Sequence, residues 1–114
     1  MNTIQLEEAK RIAVKSAWDV LGPITSPIIK NPLDEDFYIE EQYCWMFFRN
    51  KDIILPNAFA LNYDWSFVVS IWGDEINLHT LSYDNARLRK YAKNLSDHFK
   101  LDFDRSRLLS LKKD

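Results

Sequence analysis

The chain has few of the residues on which small enzymes and secreted domains depend. With 2 glycines, Gly22 and Gly73, in 114 residues, it contains neither GxGxxG nor GxxxxGK, which excludes the usual glycine-rich cradles for phosphate. Its 2 histidines, His79 and His98, show no HxxxH or HExxH spacing, so no metal-ligand set is expected. The single cysteine, Cys44, cannot close an internal disulfide. The start, "MNTIQLEEAK", lacks the basic-then-apolar order of a signal peptide, and a cytoplasmic location is the expectation. The longest apolar runs, such as "CWMFF", fall far short of the roughly 20 residues of a membrane span.

What is present is apolar and charged at once. Hydrophobic residues make up 46% and aromatics 14% of the chain, well above the level of a disordered sequence, and the length suits a single domain spanning 1–114. Net charge is −2, which argues against general nucleic-acid binding. The charge is unevenly placed. Residues 1–80 carry 6 basic and 12 acidic side chains, and residues 81–114 carry 9 and 5. Asp34, Glu35, Asp36, Glu40 and Glu41 crowd together, which on composition alone reads as a solvated loop and strand edge.

Periodicity supplies the elements. Leu6, Ala9, Ala13, Ala17, Val20 and Leu21, widened by Ile12 and Trp18, repeat every three or four residues and predict an amphipathic helix from Thr3 to Leu21. Asn2 or Thr3 can cap it, and Gly22-Pro23 ends it. The proline-rich stretch "PITSPIIKNPLDED" reads as a connection, with room for an edge strand near Ile28 and Ile29. From Phe37 to Arg49 the period changes to two. Phe37, Ile39, Glu41, Tyr43, Trp45 and Phe47 are expected on one face, and Tyr38, Glu40, Gln42, Cys44, Met46 and Phe48 on the other.

"DIILPNAFALNY" offers a further short strand, and "WSFVVSIWGDEINLHTL" a hairpin turning at Gly73-Asp74. A second helix, capped by Ser82 or Asp84, aligns Leu88, Tyr91, Ala92, Leu95 and Phe99. The basic tail, 104–114, either docks through the apolar residues around it, Leu101, Phe103, Leu108 and Leu109, or frays.

The order of helix, three or four antiparallel strands and helix specifies an α+β domain with a helix layer packed on the sheet. "YCWMFFRNK" is apolar on both sides, the mark of a central strand buried on both faces. Trp45 and Phe47 should face the first helix. Cys44, Met46, Phe48, Val68 and Trp72 then need cover, either from the second helix and tail or from a partner.

Reactive chemistry is hard to find. Cys44 lies between Tyr43 and Trp45, an apolar setting that makes a thiol inert, and a Cys44/His79 dyad has nothing basic or glycine-rich around it to activate it. Asp34, Glu35 and Asp36, like Asp102 and Asp104, lack the spaced oxygens and closing glutamate of a calcium loop. Arg87, Arg89, Lys90, Lys93, Arg105, Arg107, Lys112 and Lys113 can reach phosphates only if they converge, and no aromatics interleave with them for base stacking. No catalytic residue, metal or cofactor is expected.

The helix "LEEAKRIAVKSAW", the strand "EEQYCWMFFRNK" and the following hairpin and helix resemble small bacterial toxin-immunity proteins of the immunity protein thirty-five class, grouped with YrhB-like chaperone-like proteins. The likeness covers Ile4 to Leu81 and centres on Trp45, Phe47, Phe48, Arg49 and Asn50. It implies a cytoplasmic antitoxin, not an enzyme, whose partner is a cognate protein toxin. An acidic surface of this kind can cap the cationic active site of a nuclease toxin. On that reading the toxin-binding residues are Asp34, Glu35, Asp36, Glu40 and Glu41, with Tyr38, Tyr63 and Trp72 as aromatic anchors. One competing expectation is a chaperone-like or homodimeric domain that uses Met46, Phe48 and Trp72 on the second sheet face. Another is a cystatin-like or nuclear-transport-factor-like ligand domain or enzyme, for which no converging polar groups are found.

Overall fold

A computed structural model describes residues 3–54, 65–78 and 85–112. Helix α1 (Leu6–Leu21) leads through a short 3-10 turn (Gly22–Ile24) into β1 (Leu33–Glu40), β2 (Cys44–Arg49), β3 (Ser66–Ser70) and β4 (Glu75–Leu78), and helix α2 (Asn85–Lys112) follows. The four strands form one antiparallel sheet in the order β1-β2-β3-β4, as the sequence pattern predicts for an α+β domain.

The helix layer is present twice, once on each face. Ala9, Ala13, Ala17 and Leu21 of α1 pack with Trp45, Phe47, Phe67 and Val69. The three alanines bring the helix close to the sheet, and the aromatic rings of β2 and β3 fill the space. On the opposite face, Leu88 and Ala92 of α2 pack with Ile39, Cys44, Met46 and Val68, bordered by Leu95 and Phe99. The second helix therefore covers the second face, and Met46 is wholly buried beneath it. Of the residues named for the chaperone-like alternative, Met46 is buried, and Phe48 and Trp72 are half-buried.

Several local expectations are corrected. Thr3 does not cap α1, and Asn2 lies outside the described residues. The N-cap is Gln5, without a side-chain hydrogen bond, and Ile4 is instead tied to the β3–β4 turn by its N–H to the Ile71 carbonyl, 2.7 Å. No strand forms at Ile28 and Ile29. Ile28 is exposed, and the edge strand begins at Leu33, directly after Pro32.

The run from Phe37 to Arg49 is two strands, reversed at Gln42 and Tyr43 by the 2.8 Å bond from Glu41 N–H to the Cys44 carbonyl. The reversal regroups the faces, so Phe37 and Ile39 lie with Cys44, Met46 and Phe48. Tyr38 lies with Trp45 and Phe47. The β3–β4 hairpin forms as predicted. Gly73 takes φ +92°, a conformation glycine adopts at little cost, and Ser70 Oγ accepts hydrogen bonds from the N–H groups of Trp72 and Asp74.

The basic tail is the continuation of α2, which runs unbroken to Lys112. Of the residues offered for docking, Phe103 packs: its ring stacks on Trp72 at 4.2 Å and 7°, and Trp72 stacks on Tyr43 at 5.8 Å and 15°. Leu101, Leu108 and Leu109 remain exposed, and so does Tyr91, which the helical spacing had placed on the packed face. Ser82 and Asp84, proposed as caps, and the strand proposed within "DIILPNAFALNY" from its fourth residue onward lie outside the described residues.

Candidate protein-interaction surface

The acidic residues of β1 are positioned by an irregularity in its pairing with β2. Leu33 lies opposite Arg49 and Tyr38 opposite Phe47, so β1 takes five residue steps where β2 takes two. Asp34 to Phe37, four residues where β2 has only Phe48, leave the regular ladder. Side chains hold the bulge in shape. Asp34 Oδ1 accepts the Asp36 N–H at 2.8 Å, Asn31 Nδ2 donates to Glu35 Oε1 at 2.9 Å, and Leu33 N–H donates to Asn31 Oδ1 at 3.0 Å.

Asn50 fastens the same corner from β2, donating through Nδ2 to the Asn31 carbonyl and through its N–H to the Pro32 carbonyl. Both asparagines follow from neither hydrophobic period nor charge. Their signal is their place, one before a proline and one at a strand end, where side-chain amides replace missing backbone partners.

Asp34, Glu35 and Asp36 thus sit together on the outer strand, and none of them makes a salt bridge with a described residue. An open cleft of about 550 Å³ borders them, lined also by Ile28, Ile29, Lys30 and Lys51. On the α1 side a smaller cleft of about 340 Å³ reaches Lys10, Val14 and Tyr38. Such clefts beside exposed carboxylates can receive basic and apolar side chains of another protein.

The remaining expected residues are elsewhere. Glu40 and Glu41 lie at the other end of β1, four or more residues on, which is about 13 Å or more along a strand. Glu40, though exposed, accepts the Trp45 indole N–H at 3.0 Å. The five acids therefore do not converge. Tyr38 is half-buried against Phe47, with Lys10 Nζ 5.8 Å from its ring centre, and only its edge can serve a partner. Trp72 is half-buried in the stack with Tyr43 and Phe103 rather than free as an anchor. Tyr63 and His79 lie outside the described residues.

Cys44 is buried beneath α2, its Sγ 3.8 Å from the Ala92 carbonyl. Burial pushes its thiol up from 9.0 to about 12, against the lowering effect of a hydrogen bond with Ser96 and with a small addition from Glu41. Alkylation at pH 8 is expected to be negligible in the folded protein and rapid in denaturant, because only the thiolate reacts. The raised pKa also contributes stability that is complete below pH 9 and is lost as pH rises toward 12. The stability advantage over Cys44→Ala should therefore be flat to pH 9 and shrink above it, which denaturant titrations at each pH would measure.

No group of three or more histidine, cysteine, aspartate or glutamate side chains with metal-binding geometry occurs among the described residues. No described helix is long and apolar enough to cross a membrane. Compared with known proteins, the chain matches no family model, no curated protein and no solved structure.

Proposed function

We propose that the protein is a cytoplasmic immunity protein: a non-catalytic binder that holds a cognate toxin by protein–protein contact and engages it with the bulged edge of β1. The observation that carries this reading is the set of three adjacent carboxylates, Asp34, Glu35 and Asp36, two of which, Asp34 and Glu35, are fixed by hydrogen bonds to neighbouring residues, and none of which is paired with a described cation. Carboxylates fixed in this way need little ordering when a cationic surface arrives, and they speed its approach. A basic toxin surface, such as the nucleic-acid-binding cleft of a nuclease, is the complementary partner. The flanking clefts would take its arginine and lysine stems along the apolar walls of Ile28 and Ile29.

The test is co-expression with the polypeptide encoded next to it. The native protein is expected to restore growth and to co-purify with that polypeptide. Reversal of Asp34, Glu35 and Asp36 to arginine should abolish both, while reversal of Glu41 at the far end of the strand should not. Rescue that survives the triple reversal would move the interface off this edge. Failure of the native protein to rescue or to co-purify would remove the immunity reading.

A further inference from the structure

Helix α2 changes its hold on the domain at Phe99. Up to that residue it rests on the sheet: Leu88, Ala92 and Ser96 are buried, Leu95 and Phe99 border the cluster around Met46, and Ser96 Oγ accepts the Tyr43 N–H at 2.8 Å. Beyond it, Leu101, Asp102 and every residue from 105 to 109 are exposed. Among the described residues, the ring and charge contacts that tie this segment to the body converge on one place. The Phe103 ring stacks on Trp72 at 4.2 Å, and Lys100 Nζ, bonded to Asp104 at 3.0 Å, lies 5.7 Å from the ring centres of both Tyr43 and Phe103. Tyr43 and Trp72 belong to the β1–β2 and β3–β4 turns. The turns are held without the end of the helix, by the Ile71 N–H to the Tyr43 carbonyl and the Trp72 N–H to Ser70 Oγ.

We propose that α2 from Lys100 onward is a strap latched by Phe103, which opens and closes as one unit while the first half of α2 and the sheet stay folded. A helix carried past its last packed turn gains one hydrogen bond for each residue it fixes, which in water is close to break-even. The closed position therefore depends on the latch. A stacked ring pair shifts such an equilibrium by about two- to tenfold, and a cation over an exposed ring by about as little. Lifting the first half of α2 would instead strip cover from Ile39, Met46 and Val68, which are buried. The latch is the weaker join, and local openings follow the weaker join. Opening uncovers the face of the Trp72 ring on which Phe103 lies, so this end of the sheet holds an aromatic surface that the strap conceals when closed.

Hydrogen–deuterium exchange of the full chain, read peptide by peptide with no partner present, tests this. In the native protein the amides of residues 101–109 are expected to be protected at least about tenfold less than those of residues 92–99. Phe103→Ala should lower protection of 101–109 by a further two- to tenfold or so and leave 92–99, β2 and β3 unchanged. Alanine is the better helix former, so a loss there comes from the missing ring contact and not from the helix itself. Trp72→Ala, which changes no residue of α2, should produce the same loss in 101–109. Leu108→Ala, at an exposed position, should produce none. Equal protection along the whole of native α2, a segment indifferent to both ring substitutions, or a loss spread evenly over α2 and the sheet would each overturn the proposal.

Discussion

Phe67→Ala is expected to lower unfolding free energy by about 3–5 kcal/mol. Phe67 is wholly buried in the second strand from the edge, paired across the sheet with Phe47 and Asn77 and packed in the cluster with Ala9, Ala13 and Ala17. The helix residues around it are too small to expand into the space it would leave, so a cavity cost adds to the lost transfer energy. A domain of this size has about 5–15 kcal/mol to lose, so the variant keeps at most a modest margin. Urea denaturation followed by tryptophan fluorescence gives the value. Tyr91→Ala, at an exposed position of α2, is the control and should change stability by no more than about 0.5 kcal/mol. Equal losses at the two positions would mean that Phe67 does not lie in the interior between helix and sheet.

Ala92→Asp is expected to cost as much or more. Ala92 is wholly buried, and its neighbours Ile39, Cys44, Met46, Val68 and Leu88 supply no cation and little water. A carboxylate placed there loses its hydration with nothing in return, at a cost of about 3–5 kcal/mol. The new carboxyl would have its pKa raised in the folded state, so the penalty is fully felt well above that pKa and relaxes as pH falls and the group becomes neutral. The variant should therefore be more stable, relative to the native protein, near pH 4 than near pH 8. Alkylation of Cys44 reports where the damage falls. A thiol that becomes reactive at pH 8 while the fluorescence of Trp45 stays native would mean that α2 has lifted from an intact sheet. A variant as stable as the native protein would show that α2 does not rest on Met46 and Cys44.

These results bear on how far the sequence alone could be read. Helix α1 and the burial of Trp45 and Phe47 follow from periodicity, because each residue's neighbours along the chain already separate apolar from polar. Gly73 marks the β3–β4 turn because its φ of +92° suits glycine. The β1–β2 reversal has no such marker. Neither Gln42 nor Tyr43 takes a positive φ, and the reversal is held by long-range bonds, from Tyr43 N–H to Ser96 Oγ at 2.8 Å and from Ile71 N–H to the Tyr43 carbonyl at 2.9 Å. Contacts made by residues tens of positions apart leave no local pattern, so two strands read as one and their faces were exchanged.

The same limit applies to the candidate site. Charge alone singled out Asp34, Glu35 and Asp36, yet it grouped them with Glu40 and Glu41, which the strand carries to its other end. The irregular pairing that projects the first three depends on Asn31 and Asn50, 19 residues apart. Trp72, directly before the Gly73-Asp74 turn, is offered by the sequence both as an exposed anchor and as a side chain in need of cover. Its cover, Phe103, is one of the residues through which the segment was expected either to dock or to fray, and Lys100 and Asp104, one helical turn apart and bonded at 3.0 Å, support a continuous helix there.

The displaced segment of β1 also governs what kind of neighbour the sheet can accept. An outermost strand with a regular backbone invites another extended chain to zip onto its free amides and carbonyls, which is how edge-to-edge fibrils begin. From Asp34 to Phe37 that row is broken and fenced with negative charge, so an incoming chain cannot keep step with it for more than a few residues. The same protection means that any protein docking here has to be held by side chains rather than by an added strand.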